Sequence, residues 1–133
     1  MCFKDFSKHG DVAHLLLRLA VAAIFINHGM QKWPMLTGPA PEGMSATMLT
    51  IMKVLAVAEP AAGVALLLGL LTQVAAAGLC LVMISALYNK LSGGRPMNSW
   101  EIDMILLVSN IVLIIEGPGK YSMDAKLLMK KKR

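Results

Sequence analysis

Two charged residues, Arg18 and Glu59, each stand inside a stretch of the chain apolar enough to cross a bilayer. A charge at the centre of a membrane helix costs roughly 2.5 to 3.5 kcal/mol on insertion scales, so such residues are expected to pair, to hold a ligand or to move protons. The simplest expectation is that Arg18 and Glu59 pair with each other. Around them lie His28, Lys32, Phe25 and Asn110. A carboxylate and an imidazole can pass protons, a guanidinium, an ammonium and an amide can donate hydrogen bonds, and a phenyl ring can wall an apolar site. Glu59 and His28 are therefore the candidate catalytic groups, and Arg18, Phe25, Lys32 and Asn110 the candidate ligand-binding groups. No metal site is expected.

Each residue also has a plainer reading. Arg18 can snorkel to the headgroups, His28 can be an ordinary hydrogen-bonded histidine near a membrane boundary, and Asn110 can join helices. Glu59 is too deep to reach either interface. Pro60, beside it, removes a backbone donor and frees a carbonyl one turn back, which is either a ligand site or a kink.

These residues are positioned by four apolar segments, at about residues 12–30, 49–71, 74–91 and 100–116. The first three approach the ~20 residues that span a bilayer, and the fourth is shorter. The composition agrees: 56% hydrophobic residues, 16% charged, and a mean hydropathy of +0.63. Soluble domains average about 45–50% apolar and about 25% charged. The expected fold is all-α, an integral membrane four-helix bundle forming one domain over residues 1–133, with a short basic tail helix. The first segment is expected to be retained rather than cleaved, because Arg18 interrupts it and no small-residue cleavage site follows.

The punctuation fits. Pro34 to Ser45 is a loop, Gly69 ends the second segment, and Thr72 is placed to cap the third. Asn98 and Glu101 have capping-box spacing for the fourth, and Gly117-Pro118-Gly119 stops it. Small residues in the second and third segments (Ala58, Ala61, Ala62, Gly63; Ala75, Ala76, Ala77, Gly78) predict that these two pack closely. Arg18, Phe25 and Lys32 recur at seven-residue spacing and share an inward stripe. Lys4, Lys8, Lys120, Lys126 and Lys130 to Arg133 lie on the side of the termini, against Lys32, Lys53, Lys90 and Arg95 on the other. That bias predicts both termini in the cytoplasm.

Some chemistry is excluded. The net charge of +5 is concentrated at the chain ends and suits a membrane surface rather than nucleic acid. Cys2 and Cys80 form no CxxC and are expected to be free thiols. His14 and His28 share one helix about 21 Å apart, too far to ligate one haem iron. No Walker, HExxH, GxSxG or Rossmann pattern occurs.

Three stretches in order resemble the DoxX family of small four-helix membrane proteins. They are Leu17-Arg18-Leu19 with Phe25 and His28-Gly29-Met30-Gln31-Lys32; Ala58-Glu59 with Gly63 and Leu68-Gly69-Leu70-Leu71-Thr72; and Glu116-Gly117-Pro118-Gly119-Lys120-Tyr121-Ser122-Met123-Asp124-Ala125. Pro60, Gln73 and Lys120 depart from the family pattern. The resemblance implies a protein of a prokaryotic cytoplasmic membrane linked to redox systems. The expectation is then a membrane subunit of a quinone-linked oxidoreductase serving thiosulfate or sulfur oxidation or the oxidative-stress response. It would bind quinone without a covalent cofactor and take electrons from a protein partner that carries the redox centre. A non-enzymatic scaffold or assembly factor is the alternative, and a small-molecule transporter, working as a homo-oligomer, is a third.

Overall fold

A computed structural model describes residues 9–131 of the chain, so Cys2, Lys4, Lys8, Lys132 and Arg133 lie outside it. Among the described residues every regular element is helical: α1 (Gly10–Gln31), α2 (Pro34–Thr37), α3 (Ala46–Leu68), α4 (Thr72–Ser92), a 3₁₀ turn (Met97–Ser99), α5 (Glu101–Glu116) and α6 (Met123–Lys131). Three stretches are long and apolar enough to cross a membrane: α1 with its α2 extension, α3 and α4. α5 has 16 residues and is shorter.

The bundle is inside-out in the sense that membranes require. Large apolar side chains such as Leu16, Val54, Val57, Val74, Leu81 and Ile105 are exposed, while the interior gathers both apolar and charged groups. Val21, Phe25, Leu66, Leu79, Leu106 and Leu113 form the apolar core, and Arg18, Glu59, Asp103 and Asn110 are buried with them. Arg18 and Phe25 do face inward, and the Lys32 side chain is only 20% exposed.

The helices pair differently from the expectation. α1 packs most extensively on α3, and α4 on α5, whereas the contact between α3 and α4 is much smaller. The reason lies in where the small residues point. A Cβ on Gly63 would lie 2.8 Å from Ile26 and 3.0 Å from the Ala22 carbonyl, and one on Gly29 would overlap the Pro60 ring. These glycines let the backbones of α1 and α3 approach closely, as small residues do between membrane helices. Gly78 of α4, by contrast, has nothing within 4 Å of its Cβ position.

The connections are equally specific. Gly69 ends α3 in the left-handed conformation (φ 67°), as expected. The expected Thr72 cap of α4 does not form: Thr72 is the first helical residue, Leu71 precedes it at φ 49°, and Asp124 accepts from Leu71 N, Thr72 N and Thr72 Oγ1 instead. The capping box at Asn98 does not form, because Met97–Ser99 winds into a 3₁₀ turn and Trp100 becomes the residue before α5, with no side-chain cap. α3 runs unbroken through Pro60. The carbonyl that Pro60 frees, that of Ala56, accepts from the Trp33 indole at 3.0 Å, so it is satisfied rather than left for a ligand.

Candidate functional site

The end of the bundle nearest the termini is closed by Arg18. Its guanidinium donates from Nη1 to the Pro118 carbonyl at 2.5 Å and from Nη2 to the Tyr121 carbonyl at 2.6 Å. The expected Arg18–Glu59 pair is therefore absent. Arg18 lies against Gly69, where a Cβ would come within 2.6 Å of Nη1. Gly69 is ten residues beyond Glu59 on α3, about 15 Å along the axis at 1.5 Å per residue. The Gly117–Ser122 turn is held by further bonds. Asp124 N donates to the Gly69 carbonyl, and Ser122 Oγ bonds the Gly119 carbonyl. His14 Nδ1 and Glu116 Oε2 are 2.9 Å apart. At the surface Asp11 accepts from Lys120 at 2.7 Å, and this hydrogen bond, with the Asp11 charge, raises the Lys120 pKa above the usual lysine value.

Glu59 has a different partner. Lys32 Nζ donates to Glu59 Oε2 at 2.5 Å and to the His28 carbonyl at 3.2 Å. The side chains are 20% and 3% exposed, so this is a nearly buried ion pair. It forms because Gly29, three residues before Lys32, packs on the Pro60 ring next to Glu59, while the chain continues through Trp33 into α2, which lies on α3.

A second pair faces the same space. Lys90 Nζ, near the end of α4, donates to Asp103 Oδ2 at 2.5 Å and to the Ser99 carbonyl at 2.8 Å. Asp103 is 4% exposed. Both pairs, with His28, line a cavity of about 580 Å³ whose remaining walls include Met48, Met52, Leu55 and Met83. Ligand pockets typically enclose about 300–1,000 Å³ and are mostly apolar with a few polar groups. The cavity can therefore take an apolar ring and place hydrogen-bond donors and carboxylates against its polar atoms.

Of the residues singled out from sequence, Glu59, His28 and Lys32 are brought together at this cavity, and Arg18, Phe25 and Asn110 are not among its walls. Phe25 is fully buried in the core and meets His28 edge-on, with ring centroids 6.4 Å apart. Asn110 donates to the Leu106 carbonyl at 2.8 Å, while its Oδ1 has no protein partner among the described residues. Lys90 and Asp103 were passed over because each stands near the end of an apolar run, where a charge is ordinary. Their signal was position: each lies just inside its helix, on either side of one short loop. His14 was missed for a similar reason, since its partner Glu116 is 102 residues away.

Comparison with known proteins agrees with this architecture. The model of the DoxX family matches residues 13–89, more than half of the chain. An uncharacterized membrane protein of Mycobacterium tuberculosis is 31% identical over 135 residues, covering 89% of this chain and 83% of its own. The Bacillus subtilis protein named "Putative oxidoreductase CatD" is 28% identical over 127 residues, covering 95% of each. No solved structure matches. With a family match over more than half of its length and a relative 31% identical, the chain belongs to the DoxX family of membrane proteins.

Proposed function

We propose that this protein is the membrane subunit of a quinone-linked oxidoreductase, and that the cavity beside Lys32 and Glu59 holds the quinone ring. The observation that carries the reading is a nearly buried ion pair on the wall of an apolar cavity. Lys32 donates a hydrogen bond to a quinone oxygen. Glu59 and His28 exchange protons with the quinone oxygens, and the thioethers of Met48, Met52 and Met83 pack on the faces of the ring. Reduction takes two electrons and two protons per quinone. The electrons come from the redox centre of a protein partner, and Glu59 and His28 pass the protons. The oxidoreductase name of the Bacillus subtilis relative supports the redox class.

In this reading α5 is the fourth span. Its exposed Ile102, Ile105, Val108, Ile111 and Ile115 support contact with lipid. The basic residues at the chain ends support cytoplasmic termini in a prokaryotic inner membrane. The cavity then opens toward the extracytoplasmic half.

The test is mass spectrometry of proteins and lipids that leave the native membrane with the protein under mild extraction. The expected result is stoichiometric quinone and a redox enzyme, with Glu59→Gln slowing electron transfer to quinone while the protein stays folded. Partners without quinone, lost on deleting residues after Tyr121 and kept in the Glu59 variant, would favour a scaffold instead.

A further inference from the structure

α6 is a helix with little protein beneath it. It has nine residues, and helices shorter than about 12–15 residues are marginal in water. It is not among the helices that pack extensively on one another. Its first turn is what fastens it: Asp124 accepts from Leu71 N, Thr72 N and Thr72 Oγ1, and its own N–H donates to the Gly69 carbonyl. These bonds set α6 on the terminal end of the bundle, beside the start of α4. There the apolar flank of α4 meets it. Leu71 and Val74, both exposed, share with Leu127 and Pro118 a groove of about 310 Å³.

Residues three and four apart share a helix face. Met123, Leu127, Lys130 and Lys131 are related in this way, and Lys126 joins them through Met123 and Lys130. All five are exposed. Two apolar side chains therefore stand among three ammonium groups that repel one another. None of the three lysines is paired with a carboxylate among the described residues, and Asp124, the one acid of α6, is engaged by α4. An apolar stripe edged by lysines and continuous with a lipid-facing surface suits a helix lying in the membrane interface.

We propose that α6 and the groove beside it form a seat for an anionic phospholipid. An acyl chain lies against Leu71, Val74 and Leu127, and Lys126, Lys130 and Lys131 meet the phosphates of that lipid and its neighbours. A lipid fits better than an acidic protein because Leu71 and Val74 belong to the flank of α4 that acyl chains cover. The seat is at the opposite end of the bundle from the Lys32–Glu59 cavity and does not depend on the quinone reading. Because α6 follows directly on Tyr121 and Ser122, a lipid held there also braces the turn that Arg18 closes.

The experiment is hydrogen–deuterium exchange of the full chain in nanodiscs of phosphatidylcholine, with and without phosphatidylglycerol. One lysine near an anionic surface is worth roughly fivefold in occupancy. Exchange over residues 123–131 is therefore expected to slow by about tenfold or more with phosphatidylglycerol, while α1 and α3 stay unchanged. Native mass spectrometry is expected to show phosphatidylglycerol retained in preference to phosphatidylcholine. Lys126→Gln, Lys130→Gln and Lys131→Gln together keep good helix formers at exposed positions. This triple variant is expected to lose both differences, and Leu127→Gln to release the retained lipid. Equal exchange in the two lipids would overturn the proposal, as would a triple variant that keeps the difference. Retention unchanged by Leu127→Gln would overturn the groove as the acyl site. Protection of α6 by soluble polyglutamate but not by phosphatidylglycerol would make this face a protein-docking surface instead.

Discussion

Which charge Glu59 feels can be decided by a double-mutant cycle. Lys32 Nζ is 2.5 Å from Glu59 Oε2, and Glu59 is 2% exposed. At an effective dielectric constant of about 20, unit charges at that distance attract by about 7 kcal/mol, a ceiling that desolvation reduces. Arg18 is held about 15 Å further along the bundle axis, where the same expression gives about 1 kcal/mol. Lys32→Met alone leaves a buried carboxylate without its partner and should destabilise by about 3–5 kcal/mol. Adding Glu59→Gln should restore most of that loss, because the pair is then gone from both sides. The coupling energy for Lys32 and Glu59 should therefore be several kcal/mol. For Arg18→Met with Glu59→Gln the effects should add to within about 1 kcal/mol. Reversible unfolding in mixed micelles, followed by tryptophan fluorescence, measures all four corners of each cycle. A larger coupling for Arg18 than for Lys32 would refute the register of α1 on α3 and the cavity drawn from it.

Four further outcomes follow from individual contacts. Gly29→Ala drives a methyl group into the Pro60 ring and should destabilise by about 1–3 kcal/mol or more, whereas Gly78→Ala meets open space and should be neutral or gain up to about 1 kcal/mol; thermal unfolding separates them. Asp124→Ala removes the acceptor for Leu71 N, Thr72 N and Thr72 Oγ1, so a loss of about 1–2 kcal/mol and faster proteolysis near Tyr121 are expected. Trp33→Phe strips the Ala56 carbonyl of its donor and should cost about 1–3 kcal/mol, with Pro60→Ala in the same chain recovering part of it by supplying a backbone N–H. The raised Lys120 pKa means that its bond to Asp11 favours the folded state below the ordinary lysine pKa and is lost as pH rises through the folded value; both groups are near the surface, so titration by NMR should show Asp11→Asn lowering that pKa with little change in stability.

The helices were legible in the sequence because apolar runs and glycine stops are local signals. The ends of the helices fall within three residues of expectation, and Gly69 and Gly117 end their helices as glycines do. α2 leaves no signal in the sequence, since a four-residue helix opening on Pro34 carries no period. What could not be read was register between helices. Arg18 and Glu59 looked like partners because each was the deepest charge on its own helix. The axial offset that separates them is set by Gly29 on Pro60 and Gly63 on Ala22, contacts that no single-helix pattern encodes. Helix pairing failed for the same reason: the run Ala75 to Gly78 predicted a neighbour, but Gly78 faces open space here. The cap at Asn98 was a correct spacing overridden by a 3₁₀ turn.

The two ends of the bundle satisfy their buried charges in different ways. At the terminal end Arg18 bonds backbone carbonyls of a turn, and Asp124 bonds the backbone N–H groups of α4. Charges satisfied by backbone groups fix geometry and have little freedom to exchange protons with a ligand. They also compensate Leu71, whose φ of 49° is strained for a residue with a side chain. At the far end each buried acid is met by a lysine that also bonds one backbone carbonyl, on the walls of a cavity. Such pairs can re-form around an incoming ligand without unfolding a helix end, because the groups that move are flexible lysine chains. The apolar core of Val21, Phe25, Leu66 and Leu113 separates the two ends, with Asn110 the one fully buried polar side chain on α5 between Asp103 and Glu116. An Asn110→Leu variant should therefore leave both clusters intact, and a loss of ligand binding in it would mean that the far cavity reaches deeper than its present walls.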